Sequence, residues 1–191
     1  MRNAVKIGER VWLRPLELAD ARAIALAGHV ETERVSRRVP TSVIAFERWV
    51  RGFATDGAPD AIAFAVCWHG DDTCIGTVRL GQIDWVNRTA ETGSGLLSAE
   101  DRGRGIGTEA KHLLLEYAFV DLGLHALNAM VYEGNTRSAA ALEKQGYRLA
   151  GRLTADVQRD GAFRDTLVFD LTREDWERAR ERRRSSHSDI P

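Results

Sequence analysis

Apolar positions along this chain switch between strand and helix periods, and each switch marks an element. Val11-Trp12-Leu13-Arg14-Pro15-Leu16 reads as a first strand that Pro15 helps to end. Asp20 stands where a helix cap belongs, ahead of Ala23, Ile24 and Ala27 at helical spacing. Ser36–Thr41 is a polar, proline-containing break. Ser42 then opens a second amphipathic helix through Phe46, Trp49, Val50 and Phe53, closing near Gly57-Ala58-Pro59. Ala61–Trp68 and Cys74–Leu80 are strand-sized apolar runs joined by the turn His69-Gly70-Asp71-Asp72, and Glu91–Leu97 follows as another strand.

Past Gly103-Arg104-Gly105-Ile106-Gly107 the period changes again. Ile106, Ala110, Leu113, Leu114, Tyr117 and Ala118 share one helical face, and Gly123 stops the helix. Ala126–Tyr132 predicts a strand, Asn135–Gln145 a helix ended by Gly146, and Tyr147–Gln158 with Arg164–Leu171 two strands around Arg159-Asp160-Gly161. This order predicts a mixed α/β domain over residues 1–176, with parallel and antiparallel pairs in one central sheet. The segment 177–191, ending in Arg182-Arg183-Arg184-Ser185-Ser186-His187-Ser188, is expected to be a charged, frayed tail.

Composition narrows the function. The chain has 191 residues, enough for one well-filled domain. A formal net charge of -1 argues against a nucleic-acid grip, which needs a basic surplus. No apolar run is long enough for a membrane span, and Met1–Lys6 lacks the apolar core of a signal peptide, so a cytoplasmic protein is expected. Cys67 and Cys74 read as reduced thiols in a hairpin. The five histidines are scattered, so no metal site is expected.

The chemistry begins at Arg102-Gly103-Arg104-Gly105-Ile106-Gly107-Thr108. A strand feeds this turn and a helix leaves it, so backbone amides converge where glycines let a pyrophosphate approach closely. The dinucleotide pattern G-x-G-x-x-G fails, because Thr108 and Ala110 occupy the places of its third glycine. The P-loop fails because no lysine follows the glycines. R-x-x-G-x-G fits, through Arg102, Gly105 and Gly107.

Here the sequence resembles the GNAT superfamily of acyl-coenzyme A N-acyltransferases, in particular the branch of the ribosomal-protein N-terminal alanine and serine acetyltransferases. The resemblance spans roughly Ile7 to Trp176. Its pieces are Val11–Leu16, Arg102–Ala110, Gly123-Leu124-His125, Glu133-Gly134-Asn135, Glu143–Tyr147, and Arg159-Asp160-Gly161 with Asp165. It implies the GNAT fold, with a mixed central sheet, two splayed parallel strands (Glu91–Leu97 and Ala126–Tyr132) and flanking helices.

It also implies acetyl transfer from acetyl-coenzyme A, without a metal, to a primary amine. The acceptor is a peptide or protein N-terminus or a small-molecule amine. By the resemblance, Arg102–Thr108 holds the pyrophosphate, main-chain groups near Leu97 and Ser98 hold the pantetheine arm and face the oxyanion, and Asn135 meets the same arm. Asn135 also reads as a plain helix cap. Glu91 is the candidate base, with Asp84 in reserve and Asp165 placed to attract the amine. Many family members carry a tyrosine in the next helix as proton donor; here that position is Leu142, and Ser138 is the nearest hydroxyl. His125 reads as structural, and Trp49, Trp68 and Trp85 as packing rather than an acceptor pocket. Leu142 keeps open a second reading, a non-catalytic coenzyme A-binding module. A third is a homodimer formed through the long helices, with the coenzyme incidental.

Overall fold

A computed structural model of the protein describes residues 3–31, 42–159 and 161–188. Its eight strands form one sheet: β1 (Lys6–Ile7), β2 (Val11–Pro15), β3 (Ile62–Trp68), β4 (Cys74–Asp84), β5 (Thr89–Leu96), β6 (Ala126–Tyr132), β7 (Arg148–Arg159) and β8 (Ala162–Thr172). Five helices connect and cover them: α1 (Asp20–Glu31), α2 (Val43–Arg51), α3 (Ile106–Glu116), α4 (Thr136–Lys144) and α5 (Arg173–Ser188). The sheet order is β1-β2-β3-β4-β5-β6-β8-β7, and every pair is antiparallel except β5 with β6. That exception follows from the chain path, because α3 carries the chain over the sheet between those two strands.

The apolar face of α3 supplies the larger core. Ile106, Ala110 and Leu114 pack with Val78, Leu80 and Phe64 of the sheet, and with Phe119 and Trp176. Burying one such leucine or isoleucine contributes about 1.5–3 kcal/mol, so this face holds α3 firmly on the sheet. A second cluster of Trp12, Ala65, Cys67 and Cys74 lies apart from it, with Leu16 and Leu97 against it. Cys67 and Cys74 are register partners across β3 and β4, free and buried. Burial pushes their thiols up to about 11 and about 12, which keeps them protonated.

Four local features differ from the sequence expectation. The Asp20 carboxylate takes the Arg14 guanidinium in a buried bidentate pair, 2.8 Å on each side, tying α1 to β2. β4 continues past Leu80 to Asp84 through a register shift. α3 runs on into a widened π-type turn over Tyr117–Asp121. The segment 177–191, expected to fray, continues a helix begun at Arg173 and is helical as far as Ser188, with Ala179 buried and Arg180 3.5 Å from Glu116 of α3. The Ser42 cap is present, its hydroxyl accepting from the Ala45 amide at 3.2 Å. The polar break at Ser36–Thr41 lies outside the described residues. Among the described residues no helix is long and apolar enough to cross a membrane.

Candidate functional site

β5 and β6 run side by side only at Thr89 with Ala126, Ala90 with Leu127 and Glu91 with Asn128. Beyond that point each keeps its other neighbour. β5 stays on β4 as far as Leu96 opposite Gly76, and β6 stays on β8 as far as Tyr132 opposite Thr166. The two strands therefore diverge and a V opens in the middle of the sheet. Thr92 stands at its apex, its hydroxyl 3.1 Å from the Asn128 carbonyl and 2.8 Å from the Tyr147 hydroxyl.

Backbone groups alternate in direction along a strand. The Leu97 amide donates to the Ile75 carbonyl at 2.9 Å, so positions of that parity face β4. The backbone groups of Ser94 and Leu96 are left turned into the V. Side chains alternate as well. Leu96 lies against α3, where a Cβ on Gly107 would come within 3.7 Å of it. Thr92, Ser94 and Leu96 thus share the α3 side, and Glu91 has the opposite face. On that face Arg79 lies across Gly81 and Gly93, at which a Cβ would approach it to 2.9 and 2.8 Å. The Glu91 carboxylate accepts from Arg79 Nη2 at 3.4 Å and Gln82 Nε2 at 3.3 Å.

At the outer end of the V the glycine turn meets α3. Gly103 and Gly105 adopt φ of 76° and 81°, a region that excludes most side chains. Gly105 caps α3 with no side-chain bond, leaving the first-turn amides of the helix for another acceptor. Arg10, in the bend just before β2, fastens this turn. Its Nη1 donates to the Arg104 carbonyl at 2.7 Å, and its Nε and backbone amide to the Glu109 carboxylate, each at 2.8 Å. Burial pushes the Glu109 carboxyl up, but the bonds from Arg10 outweigh it and hold it below the ordinary range.

Between the turn, the V and α4 lies a cleft of about 410 Å³, lined by Leu96, Gly107, Thr108, Asn135, Ser138 and Leu142 among others. Arg102, Arg137 and Lys144 bring positive charge to it. A helix N-terminus with uncapped amides suits an anion, and an open strand edge suits an extended, amide-bearing chain. The residues fit an acyl-coenzyme A at both ends.

The structure brings together most of the residues singled out above, and moves some. Arg102, Gly103, Gly105, Gly107, Thr108 and Asn135 line the cleft. Asn135 also caps α4, its Oδ1 accepting from the Ser138 amide at 3.2 Å, so the cap reading is realised. The Ile106 side chain is 1% exposed in the core, so only its backbone is available. Arg104 turns away to Asp101 and to the Trp68 ring, 5.5 Å from its centroid.

Leu97 and Ser98 do not face the cleft. The Leu97 amide is taken by Ile75 and its side chain packs with the Trp12 cluster, while Ser98 Oγ accepts from the Glu100 amide at 3.1 Å. Ser94, Gly95 and Leu96 form that wall instead. Asp84 is used up by its own turn, accepting from the Val86 and Asn87 amides and the Asn87 side chain. Asp165 accepts from the Ala155 amide and pairs with Arg152 at 2.8 Å. Trp85 donates to the Pro59 carbonyl, and Trp49 stacks edge-on with Phe46 and Phe53. His125 is exposed, and its backbone bonds to Arg88 and Arg173 fix the junction before β6.

Arg10 and Lys111 were missed as well. Arg10 gave no local signal, because its partners are about a hundred positions away. Lys111 did give one: it sits at helical spacing between Gly107 and Leu114, on a face that has to be covered.

The profile of the acetyltransferase (GNAT) domain matches residues 10–148. The chain belongs to the GNAT acetyltransferase family. As a GNAT protein it is an acetyl-coenzyme A-dependent N-acetyltransferase. It is similar to YdaF of Bacillus subtilis (strain 168), which bears a provisional ribosomal N-acetyltransferase name: 27% identical over 183 residues, 90% of this chain and 96% of that protein. RimJ of Mycobacterium smegmatis, solved in complex with CoA-disulfide, matches with a TM-score of 0.74 at 26% identity, over 86% of this chain and 82% of that one. A shorter match, 30% identical over 97 residues, is to spermidine N(1)-acetyltransferase of Escherichia coli (strain K12), across 51% of this chain and 52% of that protein. The expected GNAT sheet, with its splayed parallel pair, is present. Leu142, where a tyrosine is common, is 5% exposed and offers no proton.

Proposed function

We propose that this GNAT protein transfers acetyl from acetyl-coenzyme A directly to the primary amine of a peptide or protein N-terminus. One observation carries the reading: the open β5 edge runs straight into an uncapped, glycine-lined helix N-terminus. The first-turn amides of α3 bind the pyrophosphate, helped by Arg102, and the backbone of Ser94 and Leu96 pairs with the pantetheine amides. Arg137 and Lys144 supply charge for the remaining phosphate. Glu91 accepts the proton that the acceptor ammonium must lose before it can attack. It does so from the face opposite α3, where Arg79 and Gln82 hold its carboxylate.

The likeness to YdaF, whose name refers to ribosomal N-acetylation and which matches over most of this chain, supports the peptide acceptor. So does the charge balance around Glu91, because a polycation such as spermidine calls for several unpaired carboxylates and Glu91 has an arginine beside it. The spermidine match supports a small polyamine as the second reading. The deciding experiment is thiol release from acetyl-coenzyme A against peptides beginning Ala, Ser, Met or Gly, polyamines and amine antibiotics, with product masses. A gain of one acetyl on a peptide amine is expected. Coenzyme A binding by calorimetry, with silence across the panel, would support the non-catalytic reading instead.

A further inference from the structure

Leu142 offers no proton where many family members carry a tyrosine, but another proton-bearing side chain lines the cleft from α3. Lys111 is 4% exposed and lines the cleft. Thr108 and Lys111 are three residues apart on α3 and share a face; Leu142 and Gln145 are three apart at the end of α4 and share another. The 3.0 Å bond from Gln145 Nε2 to the Thr108 carbonyl holds those faces together. The Lys111 ammonium lies over the Tyr147 ring, 5.8 Å from its centroid, and the Tyr147 hydroxyl is the one that meets Thr92 at the apex. Lys111 therefore stands at the inner end of the cleft, with the glycine turn at the outer end.

Burial pushes the Lys111 ammonium down to about 7. The Arg79 guanidinium adds to that depression and the Glu91 carboxylate opposes it. Those two act on it from the other face of the sheet; on its own side it meets the Tyr147 phenol, which burial pushes up. Its partner is a ring face rather than a carboxylate, so the ammonium gives up its proton more readily than an ordinary lysine does. Such a group beside a substrate cleft is fitted for proton transfer near neutral pH.

Resting on the acyl-transfer reading above, we propose that Lys111 is the general acid of the reaction, donating its proton to the departing coenzyme A sulfur. Glu91 takes one proton from the acceptor ammonium on the opposite face of the sheet. The freed amine nitrogen bonds to the acetyl carbon, and the carbon–sulfur bond breaks with its electron pair going to sulfur. Sulfur takes the Lys111 proton and leaves as the thiol. The new amide nitrogen sheds one further proton, which restores Lys111 through solvent, and Glu91 releases its own. One thioester and one ammonium become one amide, one thiol and one proton.

The test reads the thiol directly. Coenzyme A is bound to the wild-type protein and to Lys111→Met, and thiolate absorbance in the ultraviolet is followed against pH. A free thiol ionises near about 8.5. Beside the Lys111 ammonium it is expected to ionise about one to three pH units lower, and the Lys111→Met complex should lose that shift. Equal titration in both complexes overturns the proposal.

A second readout needs no variant. The chain holds only Lys6, Lys111 and Lys144, so a lysine titrating near neutral pH stands out in a carbon-13 lysine spectrum. Coenzyme A should move that titration upward and desulfo-coenzyme A should not; the same response to both ligands overturns the assignment. If the wild type binds neither ligand, the acyl-transfer reading falls and takes this proposal with it. Binding with unaltered thiol and lysine titrations removes Lys111 alone.

Discussion

Lys111→Met replaces a buried ammonium with an apolar side chain of similar length, and burial sets the size of the effect. Lys111 drops from its ordinary 10.5 to about 7 in the folded protein. The unfolded chain keeps the ordinary value, so between those two pH values it binds the extra proton and stability rises with pH. At about 1.36 kcal/mol per pH unit, the whole interval is worth roughly 5 kcal/mol, felt in full below the folded value and gone above the unfolded one. From about pH 7 to about pH 9 the wild type recovers about 2 kcal/mol of it.

Urea unfolding of both proteins at those two pH values measures this, because the difference between them cancels every group they share. The packing of the methionine shifts that difference by a constant and leaves its slope alone. The stability of Lys111→Met relative to wild type should therefore shrink by about 2 kcal/mol over the interval. A difference that stays the same would mean that Lys111 titrates as an exposed lysine. The burial argument would then be wrong.

Glu91→Gln should lower turnover by about 10²-fold or more while acetyl-coenzyme A affinity, read by calorimetry, stays unchanged; full turnover would remove Glu91 as the base. Gly107→Val should fold normally, since a Cβ there meets only Leu96 at 3.7 Å. Its side chain would still fill the cleft and weaken coenzyme binding by about tenfold or more, and unchanged affinity would argue against the site. Gly105→Ala should lose about 1–2 kcal/mol of stability in denaturant, because its φ of 81° is strained for any residue with a Cβ. Arg10→Ala should speed amide exchange across Arg102–Ile106 and weaken coenzyme binding; unchanged exchange would show that the turn holds itself.

Much of the fold was legible wherever the deciding interaction is local. The apolar period alone marks β3, the start of β4 and the buried face of α3. Ser42 caps α2 through a neighbour three residues on, and the glycine turn needs only its own left-handed backbone. The GNAT resemblance was legible for the same reason, since its pieces are short and contiguous in the chain. Asp20 shows the limit: it has the look of a cap, but Arg14 and the packing of β2 claim its carboxylate.

The site itself depends on distant pairings. Leu96 rather than Leu97 meets the cleft because the Leu97 amide is bound to Ile75, and a one-residue change of parity exchanges the two sides of a strand. Lys111 looks like one more position on an amphipathic helix until Tyr147 and Gln145, from the far side of α4, close over it. Local sequence was sufficient for most of the elements and for the glycine turn. Where the V opens, which backbone groups enter it and which lysine loses its water were decided by tertiary pairing, because hydrogen-bond partners and desolvation come from segments far apart in the chain.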